Sequence, residues 1–312
     1  MLPQEKRNWF ERQRRLIEFY IEAHCWDGID HEAFTAWLQN FPDEEGQYYA
    51  LRLLHRFIFY SERDVMQLCR YGLFTLVLGR DVLQDQLTSD FHRSQPQLES
   101  NLEMALMSSR ILPLLDKGKP YESGNLITRI LVQKLGIDGD LIINPNQVVR
   151  EIEKGCRHAI IVDDCVGSGD QIDDFWNLSC QFDGSAITSF KEASAHFPQV
   201  QFHYLTLVAA QVGVDRAITS TSGLSVLPCE ILTDEYRVFS PTSRFFESID
   251  EQGRAKDYLS KLLAEREVTL TGHSGLDFAV AFHHNIQDWS LPLFHKRRRN
   301  WRPLMLRKDS DD

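Results

Sequence analysis

The chain of 312 residues has little of what marks exported, membrane-bound or metal-stapled proteins. Its six cysteines (Cys25, Cys69, Cys156, Cys165, Cys180 and Cys229) form no CxxC pair and have no close histidine at zinc-finger spacing. That pattern argues against a disulfide framework or a structural zinc site and leaves reduced, mostly buried thiols as the expectation. The first residues, MLPQEKRNWFERQRR, lack the apolar stretch of a signal peptide, and no apolar run approaches the roughly 20 residues of a membrane span. A cytoplasmic protein with no membrane partner is expected. Positive charge is also in deficit, with 34 Lys and Arg against 45 Asp and Glu and a formal net charge of −11. This balance opposes non-specific attraction to nucleic acid, although a local basic patch can act against it. Internal repeats and low-complexity segments are absent too. With 43% hydrophobic and 25% charged residues, the composition is that of a globular protein with a substantial core.

Between Lys6 and about Leu87 the apolar residues recur at helical spacing, as in Trp9, Leu16, Phe19 and Tyr20 and later Leu51, Leu54, Phe57 and Ile58. Pro42, Asp43 and Glu44 punctuate this stretch, the acids suiting the first turn of a following helix. The polar run 88–99, with Pro96, is the expected soft boundary, which divides the chain into a helical region over 1–99 and an α/β domain over 100–312. In the second part, apolar and β-branched runs at 158–162 (HAIIV), 200–210 (VQFHYLTLVAA) and 224–232 (LSVLPCEIL) alternate with segments of helical period. Alternation of this kind implies βαβ crossovers and a mainly parallel sheet with flanking helices. Ligands of such sheets sit at the carboxyl ends of the strands.

The segment 160–171, IIVDDCVGSGDQ, carries the most chemistry. Three apolar residues read as a buried strand, Asp163 and Asp164 follow, and Gly167-Ser168-Gly169 leads into a helix. Glycines permit close backbone approach, Ser168 offers a hydroxyl, and the first amides of a helix bind phosphate. Two carboxylates beside such a loop suit the 2′- and 3′-hydroxyls of a ribose whose 5′-phosphate sits in it. The competing reading has the acids capping a turn, the glycines serving a tight connection, and Asp173 and Asp174 complementing the helix dipole. Strand, double acid, two-residue spacer and GSG together favour the ligand-binding reading.

These residues resemble the phosphoribosyl-diphosphate (PRPP) motif of type I phosphoribosyltransferases. The resemblance implies a phosphoribosyltransferase-like α/β fold in which Asp163 and Asp164 are the ribose-contacting, catalytic acids. Val166, Gly167, Ser168, Gly169, Asp170 and Gln171 would form the 5′-phosphate loop. Asp170 and Gln171 depart from the small, hydroxylated or lysine residues many such transferases carry there, and a carboxylate at the loop repels phosphate unless it is turned outward. With these departures, a closer resemblance is to the phosphoribosyltransferase-like (PRTase-CE) family of bacterial conflict systems. The matching segments are WLQNF at 37–41, LRLLHRFIFYSERDV at 51–65, YESGNLITRI at 121–130, VDDCVGSGDQ at 162–171, FHHNIQDWSLPLF at 282–294 and WRPLMLR at 301–307. This implies an effector or accessory component of an antiviral defence module that handles PRPP, a nucleotide or a related ribose phosphate. Mg²⁺ would enter through the substrate's pyrophosphate, and other proteins of the module would be partners. The alternative within the same family is a catalytically inactive nucleotide-sensing or scaffold subunit.

Three further constellations stand beside the loop. Ser123 and Gly124 read equally as a helix cap with a hinge or as a loop facing a pyrophosphate, with Lys117, Lys119 and Arg129 supplying charge. His284 and Asn285, after the expected strand LDFAVAF, are candidates for reading a base, and the adjacent histidines do not read as a metal pair. The basic run 295–302, with His295, Arg297, Arg298, Arg299, Trp301 and Arg302, is the one place where nucleic acid is expected to bind, if it is more than a solvated basic loop.

Overall fold

The computed structural model describes residues 3–115 and 123–307. The chain opens with α1 (Gln4–Glu22), α2 (His31–Leu38), α3 (Glu44–His55), β1 (Ile58–Tyr60) and α4 (Glu62–Tyr71). A π-helical segment (Gly72–Val77) follows, then α5 (Leu78–Thr88), α6 (Gln95–Met107), β2 (Ser109–Pro113), α7 (Ser123–Leu135) and α8 (Val148–Glu153). Next come β3 (His158–Val166), α9 (Asp170–Asn177), α10 (Phe190–His196), β4 (Gln201–Ala210), α11 (Gln211–Ser220) and β5 (Leu224–Leu232). The last elements are α12 (Ile249–Ala264), β6 (Val280–Phe282) and β7 (Asn285–Ile286). Two compact units result, one from Met1–Val65 with Thr233–Asp312 and the other from Met66–Leu232. These bounds differ from a division into 1–99 and 100–312, because the run 88–99 lies inside the second unit, where it links α5 to α6.

In the first unit α1 buries Gln13, Ile17 and Ile21, spaced one helical turn apart. Asp30 and Asp43 cap α2 and α3 by accepting from the Ala33 and Gly46 amides, each at 2.7 Å. The break at Pro42-Asp43-Glu44 is therefore a helix start. The core is aromatic: the Trp37 and Trp301 indoles donate to one carbonyl, that of Leu293, at 2.8 and 2.9 Å. Trp37 stacks on Phe294, and Phe41 meets the edge of Trp301. Full burial of a side chain such as Phe41 stabilises by about 1.5–3 kcal/mol. The N-terminal region is helical apart from Ile58–Tyr60, where β-branched and aromatic residues pair in parallel with Val280–Phe282. Of LDFAVAF only the last three residues are strand, and β6 turns back at once into antiparallel β7.

One buried carboxylate joins the two ends of the chain in this unit. Glu251, at the start of α12 and 2% exposed, accepts from Lys6 of α1, from the Tyr48 hydroxyl (2.8 Å) and Arg52 (3.4 Å) of α3, and from the Glu247 amide (2.8 Å). Burial alone would raise its pKa, but these donors outweigh it and hold the carboxyl down at about 2.

In the second unit four parallel strands run in the order β2-β3-β4-β5. α8 to α11 share one apolar core with β2, β3 and β4, and α7 packs on β2 and β3. β3 and β4 are buried along almost their whole length, so both of their faces are covered, whereas β5 is largely half-buried. Gly72 of the π-helical segment packs so closely on the Leu205 and Cys229 side chains that a Cβ there would meet them at 2.5 and 2.8 Å. At the amino end of the sheet His158 and His203 lie stacked and buried, with Nδ1 of the first 3.4 Å from Nε2 of the second. Burial, then the neighbouring His158 and Arg80, lower the pKa of His203 to about 3.

The depressed pKa of Glu251 gives a signed prediction. Its ion-pair stabilisation is fully present above the ordinary carboxyl pKa of 4.5 and is lost as pH falls from there towards 2. Glu251→Gln should lower stability at pH 7 by about 3 kcal/mol or more, since it leaves buried cations unpaired, and should flatten the fall between pH 4.5 and 2. Urea unfolding across that range measures both.

Candidate functional site

The strand that carries the double acid is longer than its apolar run. Beyond Val162, β3 keeps its pairing with β4 through Asp163↔Thr206, Cys165↔Val208 and Val166↔Ala209. The β2 ladder stops at Pro113↔Val162, with the Leu114 amide donating to the Val162 carbonyl at 2.9 Å. Asp163 and Asp164 thus lie inside β3, one step past the carboxyl end of its neighbour β2. Each is 2% exposed. Neighbouring strand positions present opposite faces. Asp163 accepts from the Tyr204 hydroxyl at 3.3 Å and from the Asp164 amide at 2.9 Å. The charge of Asp164, after burial and Cys229, helps push the Cys69 thiol of α4 up to about 12. Burial first, then the charge of Asp163, raises the Tyr204 phenol well above its ordinary value. It stays protonated and donates.

The loop after β3 turns on Gly169, whose φ of +82° suits a residue without a Cβ and which precedes the first turn of α9. Against it lies Gly213 of α11, where a Cβ would come 2.3 Å from the Gly167 carbonyl oxygen. One at Gly169 would meet the Gly213 carbonyl at 2.8 Å. Gly124 does the same service on the other side, since a Cβ there would meet the Leu114 backbone at 2.6 Å and the Val162 carbonyl at 3.0 Å. The amino end of α7 is thereby seated on the strand ends next to Asp163. The first amides of a helix have no acceptor inside it, so α9 turns donors toward this loop.

Asp170 opens α9 with a charge of the wrong sign for a phosphate, and the structure shows how it is held. The Ser168 hydroxyl donates to Asp170 Oδ2 at 2.6 Å. Arg216 of α11 pairs with Asp170 Oδ1 and reaches Asp173 Oδ2 at 3.2 Å. Sequence reasoning missed Tyr204, Gly213 and Arg216. Their one local signal is a glycine inside the helical pattern VGVDRAITST, which marks close packing there.

The candidates therefore gather unevenly. Val166, Gly167, Ser168, Gly169, Asp170, Gln171 and the two acids form one locus, with Gly124 beside it. Lys117, Lys119, Tyr121 and Glu122 lie outside the described residues, while Ser123 begins α7 and Arg129 is exposed on it. His284 and Asn285 belong to the first unit, at the tight turn from β6 to β7, where Asn285 Oδ1 accepts from the Ile286 amide at 3.0 Å. His283 and His284 form the turn, and Asn285 opens β7. In the basic run, His295 is 4% and Trp301 1% exposed, so the indole belongs to the core and offers no stacking platform; Arg297, Arg299 and Arg302 remain exposed. Burial, Arg307 and Lys296 lower the His295 pKa to about 4. Among the described residues no group of three or more His, Cys, Asp or Glu side chains is placed to hold a metal ion. Mg²⁺ bound through a pyrophosphate needs only one or two carboxylates, and Asp163 and Asp164 are those beside the loop.

A family model described as PRTase-CE matches residues 34–307. No curated protein matches the chain. Among solved structures, the orotate phosphoribosyltransferase from Aeropyrum pernix is similar at 15% identity over 43% of this chain and 72% of that one, with a TM-score of 0.24. No helix among the described residues is long and apolar enough to cross a membrane.

The contact between the two glycines can be tested directly. Gly213→Ala should cost about 1–3 kcal/mol in chemical unfolding, because the loop backbone must move. Gly139→Ala, where a Cβ meets nothing within 4 Å, should be neutral or slightly stabilising.

Proposed function

The chain belongs to the PRTase-CE family, and from that premise we propose that its second unit binds PRPP or a related ribose phosphate at the 163–171 locus, as the phosphoribosyltransferase-like effector of a bacterial antiviral defence system. The observation that carries this reading is the continuous path from two buried acids on β3, through a glycine turn pressed against α11, to the first turn of α9. Carboxylates that accept from hydroxyls and amides that donate to a phosphate follow one another there within residues 163–171. The defence role rests on the family resemblance, and the ligand class on the site.

In this reading the amides of residues 167–171 and the Ser168 hydroxyl take the 5′-phosphate, and Asp163 and Asp164 take the ribose hydroxyls. Tyr204 and the Asp164 amide orient Asp163. As a base or pyrophosphate leaves the anomeric carbon, positive charge grows on the sugar, and fixed carboxylates in a buried setting stabilise it. Mg²⁺, when bound with a pyrophosphate, would neutralise the leaving group. One observation favours a second reading, in which the same pocket senses a nucleotide without consuming it: Ser168 and Asp170 are engaged with each other, and a carboxylate at the loop weakens the anchoring a transferase requires.

Calorimetric titration of the protein with PRPP, ribose 5-phosphate and nucleotides in the presence of Mg²⁺ should give saturable binding that Asp164→Asn weakens by about tenfold or more, with the thermal midpoint retained. Mass spectrometry of the same mixtures separates the readings, since turnover lost in Asp164→Asn identifies an enzyme and binding without turnover a sensor. Binding unaltered by Asp163→Asn and Asp164→Asn would remove the ligand assignment. In cells carrying the chain with its neighbouring genes, reduced phage plating that Asp164→Asn restores would support the defence role.

A further inference from the structure

We propose that Asp170 is a latch on the phosphate loop, a built-in mimic of the anion that holds Ser168 and Arg216 until a phosphate displaces it. The inference rests on the ribose-phosphate reading of the loop and concerns how that site is regulated. Three contacts carry it. Ser168, the one hydroxyl of the Gly167–Gly169 turn, spends its proton on Asp170 Oδ2 at 2.6 Å. The other oxygen of the same carboxylate pairs with Arg216. The stem of Arg216 lies against the turn, because a Cβ on Gly169 would be 3.4 Å from Arg216 Cβ. One carboxylate thus bridges two side chains suited to a phosphate, the hydroxyl of the loop and the guanidinium of α11 with its paired donors.

Neither partner is locked away. The Arg216 and Asp170 side chains are 46% and 42% exposed, so exchanging a carboxylate for a phosphate carries a modest desolvation cost. Asp173 Oδ2, 3.2 Å from Arg216, keeps the guanidinium beside the loop after Asp170 lets go. A phosphate entering the turn would take the Ser168 proton and one edge of Arg216, while the Asp170 carboxylate would swing to solvent at the start of α9, where the helix dipole favours it. The loop would then trade one anion for another instead of binding into an empty positive site. Weakly charged or incompletely matched ligands would fail to open it.

The sign of the resulting prediction is unusual, since neutralising a residue inside a binding loop should strengthen binding. By calorimetry with ribose 5-phosphate and with PRPP, Asp170→Asn should bind about three- to tenfold more tightly than the unmodified chain, and Arg216→Ala about three- to tenfold more weakly. In the Arg216→Ala background the gain from Asp170→Asn should shrink, a coupling that a purely structural ion pair would not produce on ligand affinity. Asp174→Asn serves as a control that removes an exposed charge of α9 outside the Ser168–Asp170–Arg216 network, and it should leave the affinity within about twofold. If the unmodified chain binds and Asp170→Asn binds equally or less tightly, the latch is refuted while the ribose-phosphate assignment stands. If neither binds either ligand while both remain folded by circular dichroism, the assignment fails and the latch fails with it. Binding seen only in Asp170→Asn would support both.

Discussion

The α/β unit is organised around a backbone contact rather than a side-chain one. Gly213 on α11 meets the carbonyl of Gly167 at a separation where no Cβ fits, and Gly169 meets Gly213 in return. Because of that contact the turn after β3 has one shape and α11 lies close enough for Arg216 to reach Asp170. The start of α9 is fixed relative to the acids on β3 as well. A side chain at either glycine would push the two segments apart and take the charge network with it. Gly124 makes the corresponding contact with the ends of β2 and β3. Small residues at three separated positions thus define the walls of a site whose polar groups are supplied by others.

Much of this unit was legible from the sequence. Apolar and β-branched runs placed β4 and β5 nearly to the residue, because strands rich in such residues stand out between helical segments. The glycines and acids of 160–171 stood out because loop chemistry is local. The carboxyl end of β3 was misjudged for the same reason. Two aspartates read as the end of a strand, and only the continued pairing with β4 keeps them in it. Arg216 could not be found by spacing, since its partner Asp170 is separated from it by two helices and a strand. The adjacent histidines 283 and 284 read as strand neighbours, but a two-residue turn was indistinguishable from the strand it ends.

The other unit was harder to read because its core is shared between distant stretches of chain. Trp37 and Trp301 donate to the same carbonyl, and Glu251 gathers Lys6, Tyr48 and Arg52. No local composition shift announces such a partnership. The polar run at 88–99 looks like a boundary and is a connection between two helices of one unit. Its neutralised carboxylate also contrasts with the loop's. Glu251 is sealed and serves stability, whereas Asp170 is paired at the surface, where exchange is cheap.

The order in which these pieces occur along the chain has a consequence for synthesis. Residues Met66–Leu232 form one uninterrupted stretch, so the sheet unit has all its strands as soon as β5 has left the ribosome. The unit around Trp37 and Glu251 must wait, its first helices already made but their aromatic and charged surfaces uncovered, until α12 and the segment around Leu293 and Trp301 arrive. Closing that gap spans the entire intervening unit, and an already folded insert shortens the effective loop and lowers the entropy cost of closure. The locus at residues 163–171 would therefore be assembled before the helical unit is complete.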